Sequence, residues 1–118
     1  MKIAVVGSRE FREKDLIGYI LSLETESFHS QEVTIVSGGA RGVDSWAEEI
    51  ADLANFKKEI FKPEWDKYGK SAGFIRNKLI VNEADKVIAF WDGQSKGTKH
   101  SIDLAIKASK PIDIYIRN

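Results

Sequence analysis

"VSGGARGVDSWAEEIA", residues 36–51, decides how the chain is read. The stretch leaves an apolar run, crosses two glycines, an arginine and a third glycine, and then enters a different periodicity. Val43, Trp46, Ala47, Ile50, Leu53 and Ala54 recur there at three- and four-residue spacing, which predicts an amphipathic helix with Trp46 on its core face. A β-branched run feeding a glycine turn and a helix is one strand–turn–helix unit. Glycines let backbone N–H groups approach a ligand, and a helix start adds unpaired N–H donors with a partial positive charge. Such a turn favours an anion, phosphate above all.

Outward from this unit the same grammar repeats. "KIAVVG" (2–7), "VTIVS" (33–37), "FKKEIF" (56–61), "KVIAFW" (86–91) and "IDIYI" (112–116) read as strands, the third partly polar and suited to an edge. Leu16, Ile20 and Leu23 mark a helix running to about Ser27. Phe74, Ile75, Leu79 and Ile80 mark a third helix, and Ile102, Ala105 and Ile106 a fourth, stopped by Lys110 and Pro111. Alternating strands and helices imply a parallel sheet covered on both faces. The expectation is an α/β fold: a single Rossmann-like, doubly wound parallel sheet of five strands and four helices, order 3-2-1-4-5, over residues 1–118. Ligands bind in such sheets outside the carboxyl ends of the strands, where the order reverses.

Composition narrows the function classes. The 118 residues carry 18 basic and 18 acidic side chains, so no global field draws the protein to nucleic acid or an anionic membrane. There is no cysteine, which excludes disulfides, thiolate metal sites and cysteine nucleophiles. No apolar run approaches the ~18 residues of a membrane span, and "MKIAVV" is too short for a signal peptide, so a cytoplasmic protein is expected. His29 and His100 lie far apart without metal-ligand spacing, and nothing calls for a metal or a cofactor.

Three turns are expected at the carboxyl edge: "GSRE" after the first strand, "SGGARGVD" after the second and "WDGQSKGT" after the fourth. Candidate ligand-binding residues are therefore Gly7, Ser8 and Arg9; Ser37, Gly38, Gly39, Ala40, Arg41, Gly42 and Asp44; and Trp91, Asp92, Gly97 and Thr98. Arg9 and Arg41 can fork onto phosphate oxygens, or stand solvated in loops. Asp44 can bind ribose hydroxyls or do acid–base work, or simply complement a helix dipole. Thr98 suits phosphate, or a helix cap. Asp92 is a ligand contact or a turn residue. His100 is a candidate hydrogen-bond donor beside them. Trp65 and Tyr68 sit in a polar loop, "KPEWDKYGKS", where they either stack on a base or cover the sheet; for Tyr68, packing is the better reading.

Taken together, "GSREF", "SGGARGVDSWAEEIA", "EWDKYGKSAGFIRN" and "VIAFWDGQSKGT" resemble the SLOG superfamily, and within it the YspA-like group, a domain of unknown function. The likeness covers nearly the whole chain. It implies a Rossmann-like fold and a nucleotide or nucleotide-derived ligand (ADP-ribose-like or cyclic), with a role in signal sensing or sequestration. It also implies that Arg76 and Asn77 point towards the shared site. Superfamily members often pair through helix faces, so a homo-oligomer is expected.

The superfamily includes the LOG phosphoribohydrolases and the single-stranded-DNA-binding DprA proteins, which supply two alternative functions. The hydrolases carry a Pro-Gly-Gly-x-Gly-Thr-x-x-Glu loop; here Ser101 stands where that catalytic glutamate would be, and a serine cannot serve as a carboxylate acid or base. Seven basic residues between Lys57 and Lys78, against Glu59, Glu64 and Asp66, are a local excess that single-stranded DNA would use. Overall neutrality argues against nucleic acid as the partner.

Overall fold

The five strands form one sheet whose order, numbered along the chain, is 3-2-1-4-5, with every neighbouring pair parallel. The computed structural model describes residues 1–117. In chain order these form β1 (Lys2–Gly7), α1 (Lys14–Thr25), β2 (Thr34–Ser37), α2 (Val43–Leu53), β3 (Lys57–Ile60), the one-turn α3 (Trp65–Tyr68), α4 (Ala72–Glu83), β4 (Lys86–Trp91), α5 (Lys96–Lys107) and β5 (Ile112–Ile116). Five strands and four long helices are those the periodicities imply, and the order 3-2-1-4-5 is the one expected of a doubly wound sheet.

Side chains alternate across a strand, so β1 serves two cores. Ile3 and Val5 meet Ile17, Leu21, Val43 and Ala47, the inner stripes of α1 and α2. Ala4 and Val6 meet Ile80, Val81, Ile102 and Ala105 of α4 and α5. Burying each such valine, leucine or isoleucine contributes roughly 1.5–3 kcal/mol. Phe11 anchors the β1–α1 turn, its ring 5.5 Å from Phe90 in an edge-on arrangement. Trp46 is half-buried against the α1–α2 core, on the stripe where its spacing places it. By contrast β3 is largely exposed, and its Lys57-Lys58-Glu59 run protects that edge from pairing with another strand.

Three local readings need correction. The first helix stops at Thr25 rather than Ser27, and the Thr25 hydroxyl donates back to the Leu21 carbonyl at 2.7 Å. The polar stretch after β3 contains a helical turn, α3, rather than loop alone. Gly97 and Thr98 lie inside the first turn of α5 and not in the loop before it. The Asp92 carboxylate accepts from the Gln94 and Ser95 N–H groups at 2.8 Å each, ending the turn early. Ser95 then caps the helix, its Oγ accepting from Thr98 N at 3.4 Å. Thr98 is therefore the capped residue and not the cap.

Candidate functional site

The strand order reverses between β1 and β4, and the principal cleft opens there, with a volume of about 490 Å³. Gly7 and Arg9 enter it from the end of β1, and Ala40, Arg41 and Asp44 from the β2–α2 turn. Arg76 and Asn77 come from α4, Asp92 from the β4–α5 turn, and Gly97 and Thr98 from α5. Ser101, which the hydrolase comparison singled out, also lines it, as do Val6, Glu10, Ile80 and Ser95, which sequence reasoning did not single out for that place. Ile80 sits on a helix stripe with no special spacing, whereas the cap signal at Ser95 was readable. The other candidates, Ser8, Ser37, Gly38, Gly39, Gly42 and Trp91, do not line the cleft.

Several of those six build its walls. Ser8 is buried, and its Oγ accepts from Asp92 N at 3.1 Å and lies 3.4 Å from Thr98 Oγ1, tying β1, the β4–α5 turn and α5 together. The Trp91 indole N–H donates to the Ser95 carbonyl at 3.0 Å and is thereby committed to the turn. Ser37 Oγ donates to Glu48 at 2.8 Å, holding the end of β2 to α2. Gly42, at φ +81°, starts α2, and a Cβ there would lie 2.9 Å from the Arg9 backbone, so the two turns touch only through a glycine.

Charge is arranged in layers. Arg76 is half-buried; its Nη1 donates to the Gly38 carbonyl at 2.8 Å and its Nε to Asn77 Oδ1 at 3.1 Å. A methyl on Gly38 would strike the Arg76 guanidinium and come within 2.9 Å of Asp44 Oδ2, so the backbone must be bare at this point. Asp44 is only 8% exposed and accepts from Ala40 N at 3.2 Å. Burial raises its pKa to about 6, with the Ala40 N–H and the Arg76 charge pulling the other way. Burial also lowers the Arg76 pKa, Asp44 opposing that shift and Arg9 reinforcing it.

Arg9 and Arg41 are exposed and form no ion pair among the described residues. Asp92 is held below the usual carboxylate range by the Ser95 and Gln94 N–H groups, so its charge belongs to the turn. Asn77 Nδ2 lies 3.2 Å from His100 Nδ1, whose ring packs edge-on to Phe74 with centroids 4.5 Å apart. Among the described residues no cluster of three metal-ligating side chains occurs, and no helix is long and apolar enough to cross a membrane.

The profile of the YspA, cpYpsA-related SLOG family matches residues 1–68. The chain belongs to that SLOG family. A second comparison agrees: the Gene 61 protein of Mycobacterium phage D29 is 31% identical over 117 residues, spanning 94% of this chain and 93% of its own. Two solved structures share the fold of this SLOG domain. DNA processing protein A of Helicobacter pylori, described by its single-stranded DNA binding mode, superposes with a TM-score of 0.74 at 23% identity over 97% of the chain. DNA processing protein A of Streptococcus pneumoniae gives 0.74 at 22% identity over 96%. The chain spans only 64% and 49% of those two proteins, respectively.

Proposed function

We propose that the cleft binds a nucleotide or nucleotide-derived ligand, its phosphate held at the starts of α2 and α5 and between Arg9, Arg41 and Arg76. The observation that carries this reading is the meeting of two helix N-termini and three arginines on one cleft. Two of those arginines are unpaired among the described residues, and unpaired N–H donors with free guanidinium groups match phosphate oxygens in charge and geometry. The volume lies within the roughly 300–1,000 Å³ of small-molecule sites.

Asp44 gives the site a second preference. Ionised above about pH 6, its carboxylate accepts hydrogen bonds and repels a bare anion, which favours a ribose hydroxyl at the cleft floor over inorganic phosphate alone. Sensing or sequestration of such a ligand follows from binding without turnover. Phosphoribohydrolase chemistry would need a carboxylate where buried Ser101 lines the cleft.

Thermal unfolding against a panel of mononucleotides, cyclic nucleotides and ADP-ribose-like compounds tests this. A ligand at about 100 times its dissociation constant stabilises by ~2.7 kcal/mol, on the order of a 10 °C rise for a domain of this size. No shift with any of the panel overturns the reading.

A second reading takes its support from the fold shared with the Helicobacter pylori protein and from the exposed basic residues between Lys57 and Lys78. Here a single strand of DNA would lie across the same edge. Its affinity must fall steeply with salt as counterions are released, and a flat salt dependence removes it.

A further inference from the structure

A second hollow of about 200 Å³ lies beside β3 and shares Arg76 with the cleft. Ile60, Phe61, Tyr68, Ile75 and Leu79 give it apolar walls, and Arg76 lines both spaces. We propose that this hollow takes the base of the nucleotide whose phosphate occupies the cleft; the inference rests on the reading above and extends it.

Three observations converge. The first is size, since the hollow is below the roughly 300 Å³ at which whole small-molecule sites begin, yet it is walled for a flat apolar ring. The second is chemistry at the mouth. Lys62 offers donors and Glu64 offers acceptors, the pair of groups that the edge of an amino-bearing base would use. The third is the path between the two spaces. Gly39 sits at φ +71° with no side chain, and a Cβ there would crowd Ile60 Cγ2 at 3.1 Å and Lys62 at 3.3 Å. The β2–α2 turn thus packs directly against two residues that line the hollow, and only a bare backbone fits there. Neither hydrogen bond made by Arg76 uses its Nη2, which leaves that group for the ligand at the junction.

The two aromatics of the polar stretch now separate. Trp65 lies over Gly73, its Cη2 3.7 Å from where a Cβ would stand, so it covers the start of α4. Tyr68 is 39% exposed and lines the hollow, where a base would meet its ring. Lys67 Nζ stands 5.1 Å from the Tyr68 ring centre, a cation–π contact on one face of the ring.

Titration calorimetry with AMP, GMP, CMP, UMP and ribose 5-phosphate, on the wild type and on Tyr68→Ala and Tyr68→Phe, decides the matter. At least one monophosphate should bind more tightly than ribose 5-phosphate. Tyr68→Ala should cost that monophosphate about five- to a hundredfold in affinity and leave ribose 5-phosphate unchanged, while Tyr68→Phe keeps the wild-type preference. Equal binding of all five by the wild type, or a Tyr68→Ala variant with an unaltered preference, overturns the base subsite and leaves the cleft reading standing. Binding of none overturns both.

Discussion

At the amino ends of the strands, cations are matched: Lys2 lies between Glu59 and Glu83, and Lys86 between Glu24 and Asp113 at 2.9 Å each. At the carboxyl ends, Arg9 and Arg41 stand free among the described residues, and Arg76 is bonded to a backbone carbonyl and an amide. The carboxylate closest to that group, Asp44, is buried in the protein instead of being spread over the surface. The Lys2 and Lys86 pairs are partly exposed, and such pairs contribute little net stability but are easily satisfied. The edge that keeps guanidinium groups unpaired, and places an acid where its ionisation is resisted, is the one on which the proposed ligand would sit.

The contrast is broken most severely at Gly7, where the cleft meets the core. A Cβ there would lie 2.7 Å from the Phe90 carbonyl and would strike Val43 at 2.5 Å. Neither group is the free end of a flexible chain, so Gly7→Ala should cost roughly 3 kcal/mol by chemical denaturation, near the upper end for overpacking.

Asp44 gives the next largest effect, and its sign is set by burial. Its folded pKa of about 6 exceeds the ordinary 3.8, so the stability tied to its protonated form is full below pH 4 and lost as pH rises through 6. Asp44→Asn should unfold later than the wild type at pH 7, by on the order of 2 kcal/mol, with the difference fading near pH 4. Thermal melts at the two pH values read this directly, and a pH-independent difference would put the cause in the Ala40 hydrogen bond.

Arg9→Ala sharpens the comparison from the other side. Stability should stay within about 0.5 kcal/mol because the side chain is exposed, whereas affinity for the best ligand of the nucleotide panel should fall about tenfold or more by calorimetry. The smallest effect is expected at the amino edge. Lys86→Met should cost less than ~1 kcal/mol, shrink further in 1 M salt, and leave ligand affinity unchanged.

Much of this was legible because periodicity is local. The switch from period two to period three or four around residues 36–51 identified the second unit, and its repetition implied the sheet. Gly7, Arg9, Arg41, Asp92 and Thr98 were legible for the same reason, as turn chemistry, whereas Arg76 and Asn77 were indicated only by the family resemblance. What escaped depends on distance or on competition. Nothing near Arg76 in the sequence says that its guanidinium meets a carbonyl 38 residues away. The glycine in "SKGT" read as loop, but the Ser95 cap outweighed its low helix propensity and drew Gly97 and Thr98 into α5. The hollow beside β3 was invisible because its walls come from a strand, a single helical turn and one face of α4.

The pairing of β1 with β4 bears on the order in which the protein assembles. Ser8 meets Thr98 across 90 residues, and β1 reaches its full register with β4 only once residues 86–90 are in place. Non-local contacts of this kind slow folding, and the cleft is complete only when both halves of the chain are in place. The cleft cannot act as a template that guides folding; it appears only when the last long helix docks. A ligand that fits it therefore acts on the finished molecule, slowing its loss more than hastening its formation.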